Sequence, residues 1–316
     1  MNSDVEISIV TVTYSQQDFI LDTIRGVLMQ EYNGLMEYII VNDNSPDDTD
    51  LVIKDFLSSI DIPLNIKIRY IKNTQNKGAI PNFIWSLKQA TGKYVAICEG
   101  DDFWSDSKKL QKQVAFLEKN KDFSICFHAV KCKYENGIEP FINQVEPIEV
   151  TKLSDIARVN YITTLSVVYR NNHDFPDWFD NIYPGDWPLH IINATHGKIK
   201  FMKECMGVYR IHLGGIHSTT GGKQVELINT FKCLYKELLK RGFTKEADII
   251  NYNYDNFKIC HYVFNQHVQE VSRFNKFKML FFSKNVKFRL ISFVPLFFNN
   301  SSYRVFNLLL YKKISN

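Results

Sequence analysis

The stretch Lys93-Tyr-Val-Ala-Ile-Cys-Glu-Gly-Asp-Asp-Phe-Trp104 decides the fold: a short apolar run stops abruptly in three carboxylates, Glu99, Asp101 and Asp102. The run has strand composition and strand length. Gly100 lets the chain turn sharply between the acids. Carboxylates packed this tightly repel one another unless something cationic sits on them. Hard cations such as Mg²⁺ or Mn²⁺ take oxygen ligands and often keep positions open for substrate phosphates. A strand ending in acids at the carboxyl edge of an α/β sheet lies where such folds bind ligands. Taken alone, the stretch could equally be a solvated acidic turn.

Upstream of it the chain alternates. Residues 6 to 13 are nearly continuous in apolar and β-branched side chains, as suits a strand buried on both faces of a parallel sheet. Tyr14 to Asp18 is a polar loop, with Asp18 placed to cap a helix that presents Phe19, Ile20, Thr23, Ile24, Val27 and Leu28. A second strand, Glu37 to Asp43, leads through turn chemistry at residues 44–49 into a helix at about 49–60. Ile66 to Ile71 reads as a strand, Asn73 to Gly78 as a loop, and Phe83 to Ala90 as a helix closed by Thr91-Gly92. The β-α-β-α-β-α-β order predicts a doubly wound, mostly parallel central sheet with helices on both faces. Tyr14, Asp43 and the acid cluster all fall just after predicted strands and converge on one sheet edge.

Downstream, residues 108–119 predict an amphipathic helix and Phe123 to Tyr134 a strand. Tyr161 to Tyr169 reads as a strand rich in β-branched residues, and Asn171 to Pro184 as an aromatic loop. Gly185-Asp186-Trp187-Pro188 opens a helix running to about residue 196, and Lys198 to Arg210 is a further strand. The segment His212 to Gly222 is polar and glycine-rich, with the character of a lid. From about residue 224 the pattern is helical and ends in a basic, aromatic tail, Phe274 to Lys313, of the kind that can lie in a membrane interface. The expected division is residues 1–222 (a nucleotide half to about 104, an acceptor half from 105) and a helical C-terminal extension, 223–316.

Composition bounds the function. The 316 residues, 45% hydrophobic and 23% charged, are those of an ordinary globular protein. A net charge of +4 is too small to argue for nucleic acid. The N-terminal residues show no signal peptide, and six scattered cysteines without a CxxC pair fit reduced thiols rather than disulfides or zinc. The expected location is cytoplasmic, with peripheral contact at the inner face of the membrane through the tail. No apolar run reaches about 18 residues, so no spanning helix is expected. A glycine-rich dinucleotide fingerprint is absent after the first strand.

Read together, several motifs resemble the family 2 glycosyltransferases, inverting enzymes of the GT-A fold that use nucleotide-diphospho-sugars. The resemblance covers residues 6–220. It rests on Ser8-Ile-Val-Thr-Val-Thr-Tyr14, Ile39-Ile-Val-Asn-Asp43-Asn-Ser45, Asn76-Lys-Gly78, Tyr94-Val-Ala-Ile-Cys-Glu-Gly-Asp-Asp-Phe-Trp104, Gly185-Asp-Trp-Pro-Leu189 and Tyr209-Arg-Ile-His212. It is closest to bacterial members that build capsule, lipopolysaccharide O-chain or related surface glycans. The resemblance implies that Thr13, Tyr14 and Gly78 line the nucleotide and that Asp43 accepts a hydrogen bond from the base imide. It implies that Asp101 and Asp102, with His212, hold a divalent metal, Mn²⁺ or Mg²⁺. Glu99 stands where relatives usually have Asp and is placed, with Gly100 and Asp101, on the nucleotide-sugar side. Asp186 aligns with the catalytic base.

Arg210 is a phosphate neutraliser or a surface ion-pair residue on this reading. Thr163, Thr164 and Trp187 are candidates to face the acceptor, and Trp178 and Trp187 are aromatic candidates for stacking on sugar. The implied partners are a UDP-sugar and a glycan or lipid-linked acceptor, with oligomerisation through the C-terminal helices left open. Two alternatives stand beside this reading. A nucleotidyltransferase would need a glycine-rich, basic loop after the first strand, where this chain has Tyr14-Ser-Gln-Gln-Asp18. A catalytically inert nucleotide- or glycan-binding relative is hinted at only by Glu99.

Overall fold

The computed structural model describes residues 5–135, 141–142, 148–212, 214 and 223–264. In chain order the strands are β1 (Ile7–Thr13), β2 (Met36–Asn42), β3 (Ile66–Lys72), β4 (Tyr94–Ile97), β5 (Phe103–Trp104), β6 (Phe123–Tyr134), β7 (Phe141–Ile142), β8 (Val150–Thr151), β9 (Val168–Arg170) and β10 (Lys198–Ile211). The helices are α1 (Ile20–Leu28), α2 (Thr49–Ser58), α3 (Ala79–Lys88), α4 (Lys109–Lys119), α5 (Leu153–Ile156), α6 (Asp186–Ala194), α7 (Gln224–Lys240) and α8 (Thr244–Phe264). The main path through the sheet runs β3-β2-β1-β4-β9-β6-β10-β5, with β7 on β6 and β8 on β10.

The first half is the alternating unit the sequence predicts. β3, β2, β1 and β4 are parallel neighbours. Every residue of β2 is buried, which is why Tyr38 to Val41 run apolar without alternation, while buried Glu37 is paired with Ser8 and Arg69. α1 buries Ile20, Thr23, Ile24 and Val27, the spacing of one helical face. Asp18 does not cap α1: Phe19 holds the cap position without a side-chain bond, and the Phe19 and Ile20 N–H groups donate to Gln16 O instead. α3 begins at Ala79 and ends at Lys88, so Gly92 lies past the helix rather than closing it.

The second half departs from a simple continuation. β9 inserts between β4 and β6, antiparallel to both. The predicted strand over Tyr161 to Tyr169 is mostly a bend: a 3-10 turn at Thr164–Ser166 precedes the three-residue β9. The turn fits because Ser166 donates to Thr163 O through both its N–H (2.9 Å) and its Oγ (2.6 Å), and serine hydroxyls compete in this way with ladder bonds. β10 lies parallel to β6 and antiparallel to the two-residue β5 that follows the acidic turn.

The chain divides into two compact units, Met1–Leu234 and Tyr235–Asn316. The division falls within α7, because Thr230 bonds to Tyr183 (2.8 Å to its carbonyl) and Phe231 packs edge-on to Trp187 (5.7 Å) in the first unit. In the second, Arg241 pairs with Glu237 at 2.8 Å, and Ala247 and Ile250 are buried. None of the described helices is long and apolar enough to cross a membrane. The lid-like residues 215–222 and the tail from 274 onward lie outside the described residues, as does most of the irregular 135–147 segment.

Candidate functional site

β1 and β2 end in register, Thr13 beside Asn42, so the residues after them meet at one edge. Thr13 is buried and donates to Gln16 Oε1 at 2.8 Å, while Tyr14 is 46% exposed at the rim. The two turns that follow brace each other, with Ser15 N–H donating to Ser45 Oγ at 3.0 Å. Asp43 is buried. Its Oδ1 accepts from Asn73 Nδ2 at 2.7 Å and from Lys77 N–H at 2.9 Å, and its Oδ2 accepts from Gly78 N–H at 3.0 Å. Asp43 therefore fastens the 73–78 loop to the end of β2, and a carboxylate oxygen still has capacity for one more donor. Gly78 has φ +88°, a conformation an L side chain rarely adopts, and immediately precedes α3. Asn73 was not singled out by the sequence; Lys77 stood there only within the Asn76-Lys-Gly78 motif, with no role assigned to it.

The acidic turn follows β4, and β4 pairs with β1 up to Val10↔Ile97. Gly100 sits against β1: a Cβ there would lie 2.4 Å from Gln16 Oε1 and 2.8 Å from Thr13 Cβ. Thr23 on α1 donates to Asp102 O (2.6 Å) and Gly100 O (3.1 Å), fixing the turn from below. Asp101 Oδ2 lies 3.1 Å from His212 Nε2 at the end of β10, and this bond raises the imidazole pKa.

Asp102 is buried, with Oδ1 accepting from Arg210 N–H at 2.8 Å and Oδ2 without a hydrogen-bond partner. Burial, reinforced by Asp101 and Glu99, holds its carboxyl well above the usual carboxylate range. Arg210 is not a surface residue; its guanidinium is buried and engaged by the protein.

On the acceptor side, Asp186 is the first residue of α6, and its Oδ2 accepts from Asn160 Nδ2 at 2.8 Å. No sequence signal pointed to Asn160. Glu99 joins the two sides: its pKa is pushed up to about 8, by burial first and then by the charges of Asp101 and Asp186, against a hydrogen bond with Thr164. Thr164 thus meets Glu99, while Thr163 accepts from Ser166 through its carbonyl. Trp187 is 7% exposed, its indole N–H donating to Ile156 O at 2.8 Å, so it packs in the interior rather than presenting a face. Trp178 is partly exposed and edge-on to Phe179.

The cluster fits a hard divalent cation in a particular way. Asp101 Oδ2 and His212 Nε2, 3.1 Å apart, are the two protein groups that would hold it. Among the described residues no group of three or more His, Cys, Asp or Glu could hold a metal, so the remaining positions would fall to phosphate oxygens and water.

Comparison with known proteins agrees with this architecture. A sequence profile described as Glycosyl transferase family 2 matches residues 8–179. An uncharacterized protein of Mycobacterium tuberculosis is 37% identical over 213 residues, 66% of this chain, and the chain spans 60% of that relative's length. The putative teichuronic acid biosynthesis glycosyltransferase TuaG of Bacillus subtilis is 31% identical over 252 residues, covering 76% of this chain and 90% of TuaG. The crystal structure of S. aureus TarS 1–349 in complex with UDP-GlcNAc shares the fold, with a TM-score of 0.59 at 17% identity, covering 91% of this chain and 79% of that one. The strand-end acids, the open α/β sheet of GT-A type and the profile match together place this chain in glycosyl transferase family 2.

Proposed function

We propose that this protein transfers a sugar, with inversion, from a nucleotide-diphospho-sugar to a glycan or lipid-linked acceptor in the assembly of a cell-surface polysaccharide. One observation supports the reading: burial and then the charges of both Asp101 and Asp186 raise the Glu99 carboxyl pKa, as expected if the strand-end acids and the distant aspartate face a shared cleft. A uridine nucleotide is favoured as donor carrier. TarS was solved with UDP-GlcNAc, and an Escherichia coli relative, 35% identical over 117 residues (37% of this chain, 43% of that protein), is named a UDP-Glc:alpha-D-GlcNAc-diphosphoundecaprenol beta-1,3-glucosyltransferase. Contact with the inner face of the membrane through the basic, aromatic tail goes with a lipid-linked acceptor on this reading.

In the reaction, Tyr14, Asp43 and Gly78 hold the base end of the donor. Asp101 and His212 would hold a divalent cation, which supplies neutralising charge to the departing diphosphate when bound. Asp102 supports the turn from the interior. Asp186 takes the proton of the acceptor hydroxyl as that oxygen bonds to the anomeric carbon and the bond from that carbon to the diphosphate breaks. Asn160 holds one Asp186 oxygen, leaving the other for the acceptor.

The test is release of UDP from UDP-sugars with Mn²⁺, comparing wild type with Asp186→Asn. Loss of a general base typically costs about 10²-fold or more, and that loss is expected here. Unimpaired turnover in the variant would remove Asp186 from the mechanism, and pyrophosphate as product would overturn the transfer reaction itself.

A further inference from the structure

The two groups of the Asp101–His212 pair come from different elements, the turn after β4 and the end of β10. In the sheet, β9 and β6 lie between those strands. The turn is joined to β10 by a ladder of only two residues, Phe103↔Val208 and Trp104↔Gly207. Past Val208 that ladder stops, just where Asp101 and His212 must be brought together. Arg210 takes over at that point. Its N–H donates to Asp102 Oδ1 at 2.8 Å and its Nη1 donates to Asp101 O at 3.0 Å, so it grips the turn on both sides of the Asp101 side chain.

The guanidinium is itself held. Nη2 bonds to Asp22 on α1, and Nε faces Glu135 Oε1 at 3.6 Å. Phe103 and Phe19 lie against the guanidinium, with ring centroids 4.6 Å and 5.2 Å from its central carbon. Phe19 also packs on the His212 ring, 4.8 Å between centroids. Only 4% of the Arg210 side chain is exposed, so it is not placed to meet a substrate phosphate directly. A planar fork can serve several acceptors in fixed directions, which an ammonium on a flexible stem cannot.

From this arrangement we propose that Arg210 is the positioning residue that sets the spacing of Asp101 and His212, and so tunes the affinity of the site for its cation. The proposal rests on the metal-dependent reading given above. It is tested by the Mn²⁺ concentration that half-saturates the UDP-dependent rise in melting temperature, measured for the full chain. Arg210→Lys keeps the charge and is expected to raise that concentration at least tenfold, with UDP affinity in EDTA unchanged. A purely structural role would lower the melting temperature of the free protein and leave the Mn²⁺ requirement where it was; that result overturns the proposal.

Asp22→Asn removes the outer anchor at a half-exposed side chain, so it provides a milder variant should Arg210→Lys not fold. It is expected to raise the Mn²⁺ requirement severalfold, and a wild-type value in the folded variant overturns the proposal equally. Asp101→Asn separates the two levels. If it abolishes the Mn²⁺ effect while Arg210→Lys does not change it, the metal site stands and the role of Arg210 falls. If wild type itself shows no Mn²⁺ effect, the metal reading falls and takes this inference with it.

Discussion

Asn160 shows how much one side chain decides at the site. Its Oδ1 accepts from Ile162 N–H at 3.3 Å, which orients the amide so that Nδ2 points to Asp186. A hydrogen bond to a charged group contributes about 1.5–3 kcal/mol. Asn160→Ala is therefore expected to lower kcat by about tenfold while leaving KM for the donor nearly unchanged, because the bond orients the base rather than the nucleotide. Steady-state kinetics with varied donor checks this; a change confined to KM would assign Asn160 to donor binding instead. Asp43 illustrates the reverse case. Its type and position after β2 were legible in the sequence, but its three protein donors were not, since Asn73, Lys77 and Gly78 reach it only through the return of the chain from β3.

At the scale of elements, α4 carries an unexpected group. Lys109 is fully buried at its start, with Nζ 4.0 Å from the centre of the Trp104 ring and no hydrogen-bond partner. Burial pushes its pKa down to about 7, against the pull of Cys98 and Cys126. The unfolded chain binds this proton up to about pH 10.4. Between about pH 7 and 10.4 the unfolded state therefore holds a proton that the folded state lacks, and stability rises with pH across that window. Lys109→Met is expected to raise the melting temperature at pH 7 by several degrees and to flatten its rise toward pH 10, as thermal melts across that range would show. An unchanged slope would mean that Lys109 stays charged in the fold. The helix itself is plain in the sequence as an amphipathic repeat, but that Lys109 falls on its buried side follows from how α4 lies on β6, which the repeat alone does not specify.

For the whole molecule, a ligand that binds only the folded state stabilises it by about 2.7 kcal/mol at a hundred times its dissociation constant. UDP with Mn²⁺ is expected to raise the melting temperature by a few degrees, and chelation of the metal to remove most of that gain. Differential scanning fluorimetry with UDP, Mn²⁺ and EDTA in turn reads this out. Equal stabilisation with and without metal would argue for nucleotide binding that does not use the Asp101–His212 pair.

The sequence by itself determined the parallel first half, because strands buried on both faces are rich in apolar and β-branched residues and helices with one buried face repeat every three to four residues. It also determined which acids end strands, since an unpaired charge is costly to carry into the core. The tertiary structure alone decided the insertion of β9 between β4 and β6, the burial of Asp102, and the convergence of Arg210 and Asn160 on acids 109 and 26 residues away. Those outcomes depend on pairings between distant segments whose order in the sheet is set by packing and hydrogen-bond geometry, and local pattern carries no record of them.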